Sequence, residues 1–84
     1  MYTVSLSNQA RKFLAKAERQ LATRLVSVLQ EVRIDPHANA KKMSGSAYWY
    51  RRVGNYRVIL EIKNLEARVL VVAIGDRKQV YERV

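Results

Sequence analysis

Eighty-four residues with 49% apolar content suit one domain spanning 1–84, with a single two-layer core, and exclude both a disordered chain and a second core. Sixteen Lys and Arg against seven Asp and Glu leave a formal charge of +9, the balance of a partner for nucleic acid or an acidic protein. Without cysteine, a basic-then-apolar leader or an apolar run of roughly 18 residues, neither a disulfide framework, a signal peptide nor a membrane span is expected, and a soluble cytoplasmic protein is the default.

Residues 2–6 alternate, with Tyr2, Val4 and Leu6 on one side and Thr3 and Ser5 on the other, which predicts a half-buried strand. Ser7 and Asn8 offer a helix N-cap. From Ala10 through Phe13, Leu14, Ala17, Leu21, Leu25, Val28, Leu29 and Val32, apolar residues recur at helical spacing, until Asp35-Pro36 ends the pattern. No Gly or Pro lies between 8 and 33, so local sequence permits one helix of about 25 residues. A small two-layer domain accommodates two shorter helices more readily, and a bend is placed near Ala17–Ala22.

Residues 35–47 carry loop chemistry throughout. Two strands, 49–53 and 56–62, then form a hairpin around Gly54-Asn55. Period-2 alternation puts Tyr56, Val58, Leu60 and Ile62 on one face of the second strand and Arg57, Ile59 and Glu61 on the other. On the first strand Tyr50 and Arg52 share a face, as do Trp49, Arg51 and Val53. One face is apolar enough to be buried; the other offers arginine and tyrosine to an anion. After Asn64-Leu65-Glu66, Arg68–Ile74 is apolar on both faces, as expected of a central strand. Gly75-Asp76 is read as a turn, and the remaining residues as a short strand or tail. The predicted class is α+β: an N-terminal strand and a helical hairpin packed on one face of a mostly antiparallel sheet of three to five strands.

Metal chemistry finds little support, since the single histidine, His37, has neither cysteine nor a recognisable ligand set around it. No cofactor is implied, the three glycines are scattered rather than grouped in a phosphate loop, and Glu61 and Asp76 read as counter-ions. Arginine with tyrosine remains: Tyr50, Arg52 and Arg57 on the hairpin, with Arg77 and Tyr81 beyond the third strand. A solvated sheet face is the plain structural reading of the same residues.

The segment W-Y-R-R-V-G-N-Y-R-V-I-L-E-I, at its spacing to V-V-A-I-G-D-R-K-Q-V-Y, resembles the signature strands of the RelE/ParE superfamily of bacterial toxins, and the resemblance runs the length of the chain. It implies a compact toxin of a type II toxin–antitoxin system, neutralised by a cognate antitoxin. RelE-like members are ribosome-dependent endoribonucleases acting on mRNA, and ParE-like members share the fold but inhibit DNA gyrase. Carried over by position, Arg57 is similar to the arginine of G-x-Y-R, Arg77 to that of G-x-R, and Tyr81 to the C-terminal tyrosine. Tyr50 and Arg52 fall where the RelE branch often carries Lys or Arg. Arg51 stands in place of an aliphatic residue facing the core, and Asp76 in place of a common basic residue or histidine.

The resemblance implies Arg52, Arg57, Arg77 and Tyr81 as catalytic residues, with Tyr50, Lys41 and Lys42 binding substrate or ribosomal RNA backbone. It implies the ribosome and mRNA as partners beside the antitoxin, contact with DNA only through the antitoxin, and no membrane. Trp49 and Tyr56 are expected to pack in or beside the core. The reaction would be attack by a ribose 2′-OH on the adjacent phosphate, with guanidinium groups stabilising the phosphorane. Arginine is effectively never deprotonated and tyrosine titrates near 10, so proton transfer by Tyr81 and simple stacking on a base both stay open. A ParE-like gyrase inhibitor and a non-catalytic RNA-binding or relic toxin are the alternatives.

Overall fold

The computed structural model describes residues 1–76 and Val80. In chain order the elements are β1 (Thr3–Leu6), α1 (Asn8–Lys16), α2 (Arg19–Ile34), β2 (Lys41–Lys42), β3 (Trp49–Val53), β4 (Tyr56–Lys63), a 3-10 turn (Asn64–Glu66) and β5 (Arg68–Asp76). The five strands form one sheet in the order β1-β5-β4-β3-β2. β1 runs parallel to β5 and every other pairing is antiparallel.

Ser7 starts α1: its hydroxyl accepts from the amide of Ala10 at 3.1 Å and donates to the carbonyl of Val72 at 2.7 Å. The helix is thus capped and tied to the sheet by one side chain. Gln9 continues the tie. Its side-chain amide donates to the Ile74 carbonyl at 2.7 Å and accepts from the Ile74 amide at 2.8 Å, so it pairs with β5 where β1 has ended.

The helical stretch breaks between Lys16 and Arg19, where Ala17 and Glu18 are both extended. No Gly or Pro forces this; packing does. An unbroken helix of about 25 residues would run about 38 Å, whereas the molecule's longest dimension is 34 Å. α2 buries Leu25, Val28 and Val32 and ends at Asp35. Beyond it the side chain of Asn39 donates to the carbonyls of Glu31 at 3.0 Å and Asp35 at 2.9 Å, satisfying helix-end acceptors.

The core lies between the helices and one face of the sheet. Ala10, Leu25, Val28 and Val32 meet Val53, Val58, Leu60, Val69, Val71 and Ile74 there, with Phe13, Trp49 and Ile62 at the margins. Trp49 stands edge-on to His37 at 5.2 Å, and Tyr56 to Phe13 at 5.6 Å, so both aromatic residues pack at the margin of this core.

On the opposite face a smaller cluster of Ile59, Ala73 and Val80 is bordered by Met43, Tyr48, Tyr50 and Val72. A bulge makes this cluster possible. Ile59 pairs with Ala73 but Leu60 with Val71, so Val72 is the extra residue of β5, and Val72 and Ala73 both turn to the second face.

Two expectations are corrected. Lys41 and Lys42, read as loop, form a short strand opposite Tyr50 and Trp49; the Met43 amide bonds the Tyr48 carbonyl at 2.9 Å, closing the loop between β2 and β3. Gly75-Asp76, read as a turn, instead extends β5, because Arg57 and Tyr56 of the long β4 pair with them. The tail beginning at Arg77 lies outside the described residues, Val80 excepted.

Candidate active site

Gly54, at φ +62°, opens the two-residue turn between β3 and β4, and Asn55 follows with negative φ, the pattern of a type II′ hairpin. That turn sets the register in which Arg52 faces Arg57 and Tyr50 faces Ile59. Arg52, Arg57 and Tyr50 accordingly share the face turned away from the helices. Lys41 joins them, being paired with Tyr50 on the adjoining strand.

The Arg57 guanidinium lies over the Tyr50 ring, 4.7 Å from its centroid. This diagonal stack orients the cation. Arg52 and Arg57 stand directly opposite one another, so two like charges meet across the hairpin. Arg57 is half-buried and Arg52 exposed.

Lys42 is turned to the other face, with its ammonium 6.0 Å from the Trp49 ring, and does not join this group. Arg77 and Tyr81 lie outside the described residues. The path toward them is still informative. Gly75 is the β5 residue paired with Arg57, and a Cβ there would sit 3.4 Å from the Cβ of Val80. Val80 thus seats against β5 at ordinary contact distance from position 75, on the same face as Arg57.

Arg51 points to the helix side, where an aliphatic residue was the norm of the resemblance. Its guanidinium donates to the Asn39 carbonyl at 3.1 Å and reaches Glu31 at 3.3 Å. It ties the end of α2 and the following segment to β3, and so fixes the approach of Lys41 to Tyr50.

The basic face is open. A hollow of about 270 Å³ lies at the β2–β3 margin beside Lys41, Tyr50 and Arg52. A cleft of about 960 Å³ lies instead on the helix side of the hairpin tip and contains none of the candidate catalytic or substrate-binding residues. An open, cationic face suits a polyanion backbone better than a small molecule, which would bury most of its surface. Among the described residues no helix is long and apolar enough to cross a membrane.

The model of the ParE toxin family of type II toxin–antitoxin systems matches residues 4–81. The chain belongs to the RelE/ParE toxin superfamily. No curated relative matches its sequence. The toxin's fold is similar to that in the intact E. coli RelBE toxin–antitoxin complex, at 22% identity and TM-score 0.81, over 93% of this chain and 99% of that one. It is also similar to the isolated E. coli RelE toxin, at 23% identity and TM-score 0.78, over 98% and 93% of the two chains. A third likeness is to the archaeal RelE–RelB complex of Pyrococcus horikoshii, at 19% identity and TM-score 0.80, over 94% and 98%. The α+β fold with a five-stranded mixed sheet is therefore that of RelE, and the chain is a toxin of a type II toxin–antitoxin system.

Proposed function

We propose that this toxin is a ribosome-dependent mRNA endoribonuclease of the RelE kind. The observation that carries the reading is the pair of opposed arginines, Arg52 and Arg57, with Arg57 stacked on Tyr50 on the open face of the sheet. In the reaction the ribose 2′-oxygen bonds to the adjacent phosphorus and loses its proton, while the bond from phosphorus to the 5′-oxygen breaks and that oxygen takes up a proton. The products are a 2′,3′-cyclic phosphate and a free 5′-OH. Negative charge builds on the phosphorane, and Arg57 with Arg77 is the proposed clamp for it, Arg52 assisting. Tyr81 is assigned to proton transfer or to stacking on a base.

A set so poor in intrinsic bases fits an enzyme whose substrate is oriented by the ribosome, since positioning can contribute several kcal/mol of the barrier. Tyr50 and Lys41 hold the substrate backbone, and Lys42, on the opposite face, contacts the ribosomal RNA backbone. The protein works in the cytoplasm, takes no cofactor, and is silenced by a cognate antitoxin. It meets DNA only through that antitoxin.

A second reading, inhibition of DNA gyrase, is favoured by the identity of the matching family model, which is that of ParE. One experiment separates the two: programmed ribosomes with mRNA 5′ ends mapped by primer extension, beside a gyrase supercoiling assay. Codon-registered cuts, slowed about 100-fold or more in Arg57→Ala, are the expected result. Intact mRNA with blocked supercoiling would sink the endoribonuclease. Tyr81→Phe at the parental rate would leave its phenol with stacking alone.

A further inference from the structure

The 960 Å³ cleft lies where the break between α1 and α2 faces the tip of the β3–β4 hairpin. Lys12 and Lys16, one helical turn apart on α1, line it together with Arg24 of α2; the one carboxylate in its lining is Glu18. None of these three cations forms a hydrogen bond or ion pair within the described residues. Arg24 is seated by the turn itself: its Nη1 is 3.3 Å from where a Cβ on Gly54 would stand, so the absent side chain lets the guanidinium lie against the hairpin tip. The edge-on pair of Phe13 and Tyr56 adds an aromatic wall.

Three cations with no partner among the described residues, gathered on a concave surface, repel one another, and an anion between them would relieve that repulsion. We propose that the cleft holds the sugar–phosphate backbone of RNA, as a second contact separate from the open face of the sheet. RNA is favoured over an acidic helix by the hairpin tip. Arg52 and Arg57 stand on one side of the Gly54-Asn55 turn and Arg24 against the other, so a flexible polyanion can pass around the tip and engage both faces, whereas a rigid helix engages one. The aromatic wall offers bases a stacking surface as the backbone turns. The inference takes from the preceding reading only the choice of RNA as polyanion.

Binding needs no cleavage, which keeps the two readings apart. Affinity for fluorescein-labelled poly(U) is measured by anisotropy across a salt series for the parent, for Lys12→Gln/Lys16→Gln/Arg24→Gln, and for Glu18→Gln. The triple variant is expected to bind about tenfold or more weakly at 0.1 M salt, with a slope of log K against log salt shallower by about 2, at roughly 0.7 per phosphate contact on a single strand. Glu18→Gln, which removes the opposing charge from an exposed cap position whose side chain makes no capping bond, is expected to tighten binding about twofold. It keeps the inference falsifiable should the triple variant fail to fold. A folded triple variant with the parental slope overturns the proposal, as does Glu18→Gln with unchanged affinity. A loss seen only toward the antitoxin, with RNA binding intact, also overturns it. If mRNA is never cut yet both binding shifts appear, the endoribonuclease reading fails and this one stands.

Discussion

Arg51 places a guanidinium between Trp49 and Val53, on the face of the sheet that otherwise meets the helices. Its side chain is 28% exposed and that of its partner Glu31 48% exposed, so solvent screens the ion pair and the bond to the Asn39 carbonyl is the firmer link. Arg51→Ala should lower unfolding stability by about 1 kcal/mol, the loss of a partly buried charged hydrogen bond and some packing, while Glu31→Gln should stay within about 0.5 kcal/mol. Urea titration of the two variants checks both. At this scale the sequence was informative wherever strand alternation applied. The faces of Tyr50, Arg52 and Arg57 follow from period 2 and are those observed. The stack of Arg57 on Tyr50 was not legible, because it depends on a diagonal set by register. Nor was the separation of Lys41 from Lys42, because their segment carried no strand signal and pairs only through its closure onto β3.

The behaviour of whole elements depended more on tertiary partners. The two helices were readable as a hairpin with a bend near Ala17–Ala22, and the break falls at Ala17 and Glu18, within that window. β5 is different. Gly75-Asp76 has turn composition, but eight of the nine residues of β5 pair with β4 and carry the strand through it, and Val80 packs against position 75. Enlarging position 75 therefore tests the packing of Val80 against β5. Gly75→Ala meets Val80 at ordinary contact distance and should be nearly neutral, whereas Gly75→Val should overpack this spot and destabilise the fold by about 1–3 kcal/mol. Thermal unfolding distinguishes the pair. If Gly75→Val melts like the parent, Val80 is not held there.

For the molecule as a whole, an excess of nine positive charges pointed to an anionic partner but not to where it would sit. The cations of the open face could be grouped from the strand pattern and the resemblance. Those of the helix-side cleft could not: Lys12 and Lys16 share a helix face by spacing alone, but Arg24 and the hairpin tip join them only once the helices have folded over the sheet. The spacing of the two lysines was the available signal, and it is the same signal any solvated helix surface gives.

The amide side chain of Gln9 has a consequence at the margin of the sheet. β1 reaches only to Val71 through Leu6, yet the N–H and C=O of Ile74 are both engaged by this one glutamine, which acts as the missing strand residue. A strand margin left unsatisfied invites self-association, and here a helix residue occupies the backbone positions another chain would need. In Gln9→Ala the Ile74 amide should lose protection, with its hydrogen exchange accelerated about tenfold or more, equivalent to about 1.4 kcal/mol of local opening. The same variant should form β-rich aggregates at concentrations where the parent stays dispersed. Unchanged exchange at Ile74 would mean that the margin is guarded by something other than Gln9.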